Sequence, residues 1–165
     1  MSSFGTEKIE QIVITYADMI YRVALQNLKN RADAEDIFQE VCLSLLTANA
    51  PIEDEKHLKN WLIRITINKC NNFHKSFWNR NREPLSDTLV SLPNESRELF
   101  NEILKLPKTY RNIIYLHYYE GYQIKEIAEI LGMNKNTVGS YLRRARQKLK
   151  ANLTEGGNTY GYESI

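Results

Sequence analysis

Apolar residues recur every three or four positions through most of this chain. Ile9, Ile12, Val13, Tyr16, Ile20, Val23, Ala24 and Leu28 make one stripe of a long helix. Asn30 suits the N-cap of a second helix, and Asp33, Glu35 and Asp36 crowd its first turn, where the helix dipole favours carboxylates. Ala34, Ile37, Phe38, Val41 and Leu45 form its buried face. Residues 49–54, with Pro51, read as a loop. A third helix then points Leu58, Trp61, Leu62 and Ile65 inward. Leu62–Ile67 is rich in β-branched residues and leaves a strand open, but the spacing and the lack of a hairpin signal favour helix.

Residues 81–96, with two prolines among Ser, Asn and Asp, read as an interdomain linker. Beyond it, Leu99, Phe100, Ile103 and Leu104 predict a short helix ended by Pro107, and residues 108–119 predict another closed by Gly121. Two further helices are expected over 123–131 and 135–150, followed by a Gly-rich tail. The pattern predicts an all-α protein of two small helical domains. They span 1–80 and 96–153, joined by a flexible linker over 81–95, with a mobile tail over 154–165.

The stretch QIKEIAEILGMNKNTVGSYLRRARQKLK (123–150) carries the sharpest local signal. A short amphipathic helix packs on Ile124, Ile127, Ile130 and Leu131. Ala128 lets the next helix approach, Gly132 makes the tight turn, and Met133 plugs beneath it. Asn134 can cap the second helix, whose Val138, Tyr141, Leu142 and Ala145 face inward. This is the pattern of a helix-turn-helix, whose second helix enters the major groove. Lys135, Asn136, Ser140, Arg143 and Arg144 lie on its outer side, and Arg146, Lys148 and Lys150 extend the charge. Early residues can reach base edges and later ones phosphates.

Charge adds a second theme. The formal net charge is only +2, yet residues 1–55 hold 4 basic and 10 acidic residues, whereas 56–82 hold 7 basic and none acidic. Residues 108–153 hold 9 basic and 3 acidic. Two separated basic blocks fit two contacts with a polyanion, and the acidic first block fits a basic partner. Phe73, Phe77 and Trp78, set among Lys75, Arg80 and Arg82, suit either stacking on single-stranded DNA or packing on the first helix.

Other function classes lose support. The 165 residues are too few for a large barrel or a two-layer dehydrogenase. The seven glycines assemble no GxGxxG or GxxxxGK phosphate cradle. Cys70 and His74 could share a helix face, but no second pair completes four zinc ligands. No nucleophile or metal–carboxylate constellation is present, so neither catalysis nor a cofactor or metal is expected. The absence of an apolar run of about 18 residues predicts no membrane contact. The N-terminal sequence predicts no secretory leader, and the two cysteines, Cys42 and Cys70, read as buried thiols in a reducing cytoplasm.

Three segments then resemble one family in order. NRADAEDIFQEVCLSLL (30–46), HLKNWLIRITINKCNNF (57–73) and LPKTYRNIIYLHYYEGYQIKEIAEILGMNKNTVGSYLRRARQKL (106–149) are similar to the bacterial extracytoplasmic-function sigma factors. The resemblance implies an alternative sigma factor that binds core RNA polymerase and directs initiation at promoter DNA. It places Asp36, Gln39 and Glu40 against the polymerase clamp helices. It assigns Trp61, Arg64, Asn68 and Asn72 to the −10 element, with the loop at 48–56 placed to trap an extruded base. It assigns the helix-turn-helix, through Lys135, Asn136, Ser140, Arg143 and Arg144, to the −35 element. It also implies an anti-sigma factor as partner. The chain departs from the family pattern at Asn72, Lys75, Gly139 and Tyr141, so its −35 sequence does not follow from that of relatives. The competing reading from the residues is a two-domain helix-turn-helix regulator that binds duplex operators without polymerase.

Overall fold

The computed structural model describes residues 5–48, 54–76 and 94–155. Among these, every regular element is an α-helix. The first reversal takes two residues. Helix α1 (Thr6–Leu28) ends at Lys29, which takes the left-handed conformation (φ 55°) and donates its N–H to the Leu25 carbonyl at 2.7 Å. Asn30 then opens α2 (Arg31–Thr47), its side-chain oxygen accepting from the Asp33 N–H at 2.9 Å. Helix α3 (Glu55–Ser76) is opened in the same way by Asp54, which accepts from the His57 N–H at 2.8 Å.

The three helices share one core. Ile20, Val23 and Ala24 of α1 bury with Ala34, Ile37, Val41 and Leu45 of α2 and with Leu62, Ile63, Ile67, Cys70 and Phe73 of α3. Thr66 sits fully buried because its hydroxyl donates to the Leu62 carbonyl at 2.6 Å. The strand reading of Leu62–Ile67 is thereby excluded, since the segment lies inside α3.

The inward face of α3 also differs from the expected one. Trp61 and Ile65 are only half-buried, while Ile63, Ile67, Cys70 and Phe73 are buried. Helix α3 packs on both α1 and α2, so its buried arc is wider than one amphipathic stripe. Phe73 therefore belongs to the core rather than to a stacking surface; Phe77 and Trp78 lie outside the described residues, as do most of the loop 49–54 and the linker. Cys42 is half-buried, not buried like Cys70, and its burial pushes the thiol pKa up.

The second unit comprises α4 (Asn94–Leu104), α5 (Lys108–Tyr118), α6 (Ile124–Leu131) and α7 (Lys135–Glu155). The boundary between the two compact units falls between Leu85 and Ser86. Phe100 and Ile103, Ile113 to Leu116, Ile127 and Ile130, and Val138, Leu142, Ala145 and Leu149 make the core of the second. Arg111 is buried as well, donating to the Leu106 carbonyl at 2.7 Å across the turn between α4 and α5, and desolvation lowers its pKa. Helix α7 runs on to Glu155, so Thr154 and Glu155 are helical rather than part of a tail.

Candidate functional site

Three helix faces gather the candidate site residues. On α2, Asp36, Gln39 and Glu40 are all exposed. Their i, i+3, i+4 spacing puts them on one face, opposite the buried Ala34–Ile37–Val41–Leu45 ridge. The same face continues into Leu43 (60% exposed) and Leu46 (48% exposed). Sequence reasoning missed these two leucines. Their signal was phase, because they are apolar residues outside the buried stripe of their own helix. Glu40 approaches Lys69 of α3 at 4.0 Å, with both side chains partly exposed. Such a pair contributes under about 1 kcal/mol, so the carboxylate stays available to a stronger partner.

On α3, Arg64, Asn68 and Asn72 are exposed and Trp61 is half-buried. Steps of three, four and four residues align these four side chains along one stripe. Among the described residues, no acidic side chain pairs with Arg64. The stripe therefore offers one free guanidinium, two amides and an indole, a set suited to base edges, stacking and phosphate.

The helix-turn-helix is built with little strain. Gln123 and Glu126 form a capping box at the start of α6, with the Gln123 N–H donating to Glu126 Oε2 at 3.0 Å. Gly132 takes the left-handed conformation (φ 65°), and the Met133 N–H donates back to the Ala128 carbonyl at 2.9 Å. Met133 itself is half-buried rather than a full plug. Asn134 Oδ1 accepts from the Asn136 N–H at 2.8 Å and so opens α7.

Along α7, Asn136, Ser140 and Arg143 share one line, with Arg144 on one flank and Lys135 on the other. All are exposed except the half-buried Ser140. Exposed Gln147 continues the line, a position missed because glutamine carries no charge signal. Among the described residues, no carboxylate pairs with Lys135, Arg143 or Arg144. Arg146, expected to extend the outward charge, is half-buried and turns to α5 instead, whereas Lys148 stays exposed while lying over a tyrosine of α5. Arg146 donates to the Tyr118 hydroxyl, and the Lys148 ammonium lies 5.4 Å from the Tyr110 ring centroid. Tyr141, expected inward, is half-buried with its ring centroid 4.9 Å from that of Tyr110. Among the described residues, no group of three His, Cys, Asp or Glu side chains could hold a metal ion. None of the described helices is long and apolar enough to cross a membrane.

Comparisons with known proteins point to one family. The family model for Sigma-70 region 2 matches residues 12–80, and that for Sigma-70 region 4 matches residues 96–149. Among curated proteins, the RNA polymerase sigma factor SigV of Bacillus subtilis (strain 168) is 29% identical over 142 residues, covering 82% of this chain and 84% of SigV. The ECF RNA polymerase sigma factor SigW of the same organism is 29% identical over 165 residues, covering 87% and 88%. Among solved structures, the sigma factor RpoE in complex with the anti-sigma factor NepR from Bartonella quintana aligns with a TM-score of 0.71 at 18% identity, covering 90% of this chain and 98% of that one. CnrH in complex with the cytosolic domain of CnrY aligns with a TM-score of 0.67 at 23% identity, covering 93% and 92%.

An all-α chain with a helix-turn-helix in its second unit and sigma matches in both is a promoter-specificity factor for transcription. The chain belongs to the sigma-70 family, within its extracytoplasmic-function group. It is an alternative sigma factor that directs transcription initiation. The comparisons give no support to an operator-binding regulator.

Proposed function

We propose that the three exposed faces divide the work of this sigma factor. The acidic face of α2, through Asp36, Gln39 and Glu40, docks on core RNA polymerase. The polar stripe of α3, through Trp61, Arg64, Asn68 and Asn72, reads the −10 element and holds the melted strand. Helix α7, through Lys135, Asn136, Ser140, Arg143 and Arg144, reads the −35 element. The first domain, 1–80, serves the first two roles; the second serves the third, with its helices beginning at Asn94, inside the expected linker 81–95, and running to Glu155 rather than ending at 153. The observation that carries this reading is the segregation of exposed chemistry: the carboxylates Asp36 and Glu40 on α2, and the exposed cations Arg64 on α3 and Lys135, Arg143 and Arg144 on α7, with amides beside them. A polyanion attracts the second set and repels the first.

Melting suits the α3 stripe physically. An extruded base exposes its pairing edge and its stacking face together. An indole beside two amides and a guanidinium can use both, and the surrounding basic block can hold the separated strand by its phosphates. The chain supplies recognition only, and the polymerase supplies the chemistry. It works in the cytoplasm, without cofactor or metal. When free, it is held by an anti-sigma factor that covers its polymerase-binding surfaces, a reading supported by the anti-sigma factor in complex with the structurally similar RpoE.

The test mixes the purified chain with sigma-free core polymerase and sequences transcripts made from genomic DNA. Co-elution with a small set of new start sites is the expected result, and it yields the −10 and −35 sequences together. Duplex binding by the chain alone, without association with polymerase, would overturn the assignment of α2 and α3.

A further inference from the structure

Arg146 leaves the outward face of α7 and turns back toward α5. Its Nε donates to the Tyr118 hydroxyl, and its guanidinium carbon lies 5.6 Å from the Tyr118 ring centroid. Its Nη2 lies 3.4 Å from His117 Nε2. The His117 ring is oriented from its other side, where Nδ1 lies 2.9 Å from the Tyr122 carbonyl oxygen. A carbonyl only accepts, so Nδ1 carries the proton and donates. Nε2 faces a guanidinium, which only donates, and so is the acceptor of that contact. Arg146 is held by directional bonds to His117 and Tyr118.

These bonds join three parts of the second unit: the end of α5, the turn carrying Gly121 and Tyr122, and the middle of α7. The buried face of α7 is otherwise apolar, through Val138, Leu142, Ala145 and Leu149. Aliphatic packing is non-directional; it resists separation of two helices more than rotation of one about its own axis. Recognition constellations must be held within about 0.5 Å and 10–20°. Arg143 and Arg144 lie within one turn of Arg146 and move with any rotation there.

We propose that Arg146, clamped by Tyr118 and His117, is a positioning residue that fixes the rotation of α7 and so the aim of Arg143 and Arg144, and that it touches no phosphate itself. The proposal rests on the reading of α7 as the −35 face.

The experiment uses holoenzyme assembled from the full chain and core polymerase. A fluorescent duplex carries the upstream segment of a promoter found by transcript sequencing, and a scrambled duplex serves for comparison. Affinity is measured between 50 and 200 mM KCl, where removing one cation from a phosphate lowers the salt slope by about 0.9. Arg146→Gln is expected to weaken cognate binding about tenfold with the slope unchanged. Tyr118→Phe, which removes no charge, is expected to weaken cognate binding several-fold and leave scrambled-duplex binding unaltered, a pattern that general loosening of the fold would not give. A slope reduced by about one in Arg146→Gln, or unchanged cognate affinity in Tyr118→Phe, would overturn the proposal. Arg144→Gln separates the two levels: its own slope should fall by about 0.9, and no change there would remove the −35 reading of α7 itself.

Discussion

Gly139 stands in the interior of α7, where glycine costs about 0.5–1 kcal/mol relative to alanine. A Cβ built there meets only Ile124 Cδ1 at 3.9 Å, an ordinary van der Waals distance. Gly139→Ala should therefore stabilise the second unit by about 0.5–1 kcal/mol in urea unfolding; destabilisation would show that the space is not open. At this scale the sequence is most readable where chemistry is local. Asn30 and Asn134 act as caps, and Gly132 turns left-handed, because a short side-chain acceptor and a missing Cβ define those positions without help from distant residues. It is least readable where a side chain chooses between neighbours. Nothing local tells Arg146, directed into α5, from the outward Arg143 and Arg144; the choice depends on Tyr118 and His117, 28 and 29 residues away. Cys42 and Trp61 depart from expectation for a similar reason, since half-burial depends on how neighbouring helices tilt.

Among the elements, α2 shows most clearly how one helix serves two masters. Its buried ridge follows the expected period, and its opposite face holds Asp36, Gln39 and Glu40, then Leu43 and Leu46. Replacing exposed carboxylates should leave the fold within about 0.5 kcal/mol. It would also set like charges against a basic partner, at a cost of several kcal/mol. Asp36→Arg with Glu40→Arg should therefore abolish co-elution with core polymerase, a loss of at least about 100-fold, while the helical circular dichroism stays unchanged. Retained affinity would refute the docking assignment. Helix α3 shows the limit of the stripe argument. A helix wedged against two others buries more than one stripe, and beyond its first turn its exposed positions narrow, among the described residues, to Arg64, Asn68, Asn71 and Asn72.

For the molecule as a whole, the all-α class follows from periodicity alone, because the 3.6-residue pattern recurs with turn residues between its repeats. Function does not follow from periodicity. The charge blocks suggest a polyanion and a basic partner, and the ordered motifs of both halves turn that into a sigma factor. Each half carries its own core, so each is expected to fold alone. Residues 86–165 expressed separately should give a helical spectrum and a cooperative thermal transition, with modest stability because units of this size bury only about 60% of their unfolded surface. A featureless melt would show that the halves depend on each other.

Separate cores also set an order of events on the ribosome. Everything that shapes the α1–α3 core is available once the first 85 residues have emerged. The 70 residues from Ser86 to the end of α7 at Glu155 take roughly 3.5–14 s more at about 5–20 residues per second. A nascent chain can thus present a finished acidic face, with its exposed Leu43 and Leu46, before the helix-turn-helix has been translated. If α2 docks and α7 reads as proposed, each new copy for those seconds carries the docking surface without the reading head, a half-made competitor for the polymerase it is meant to guide.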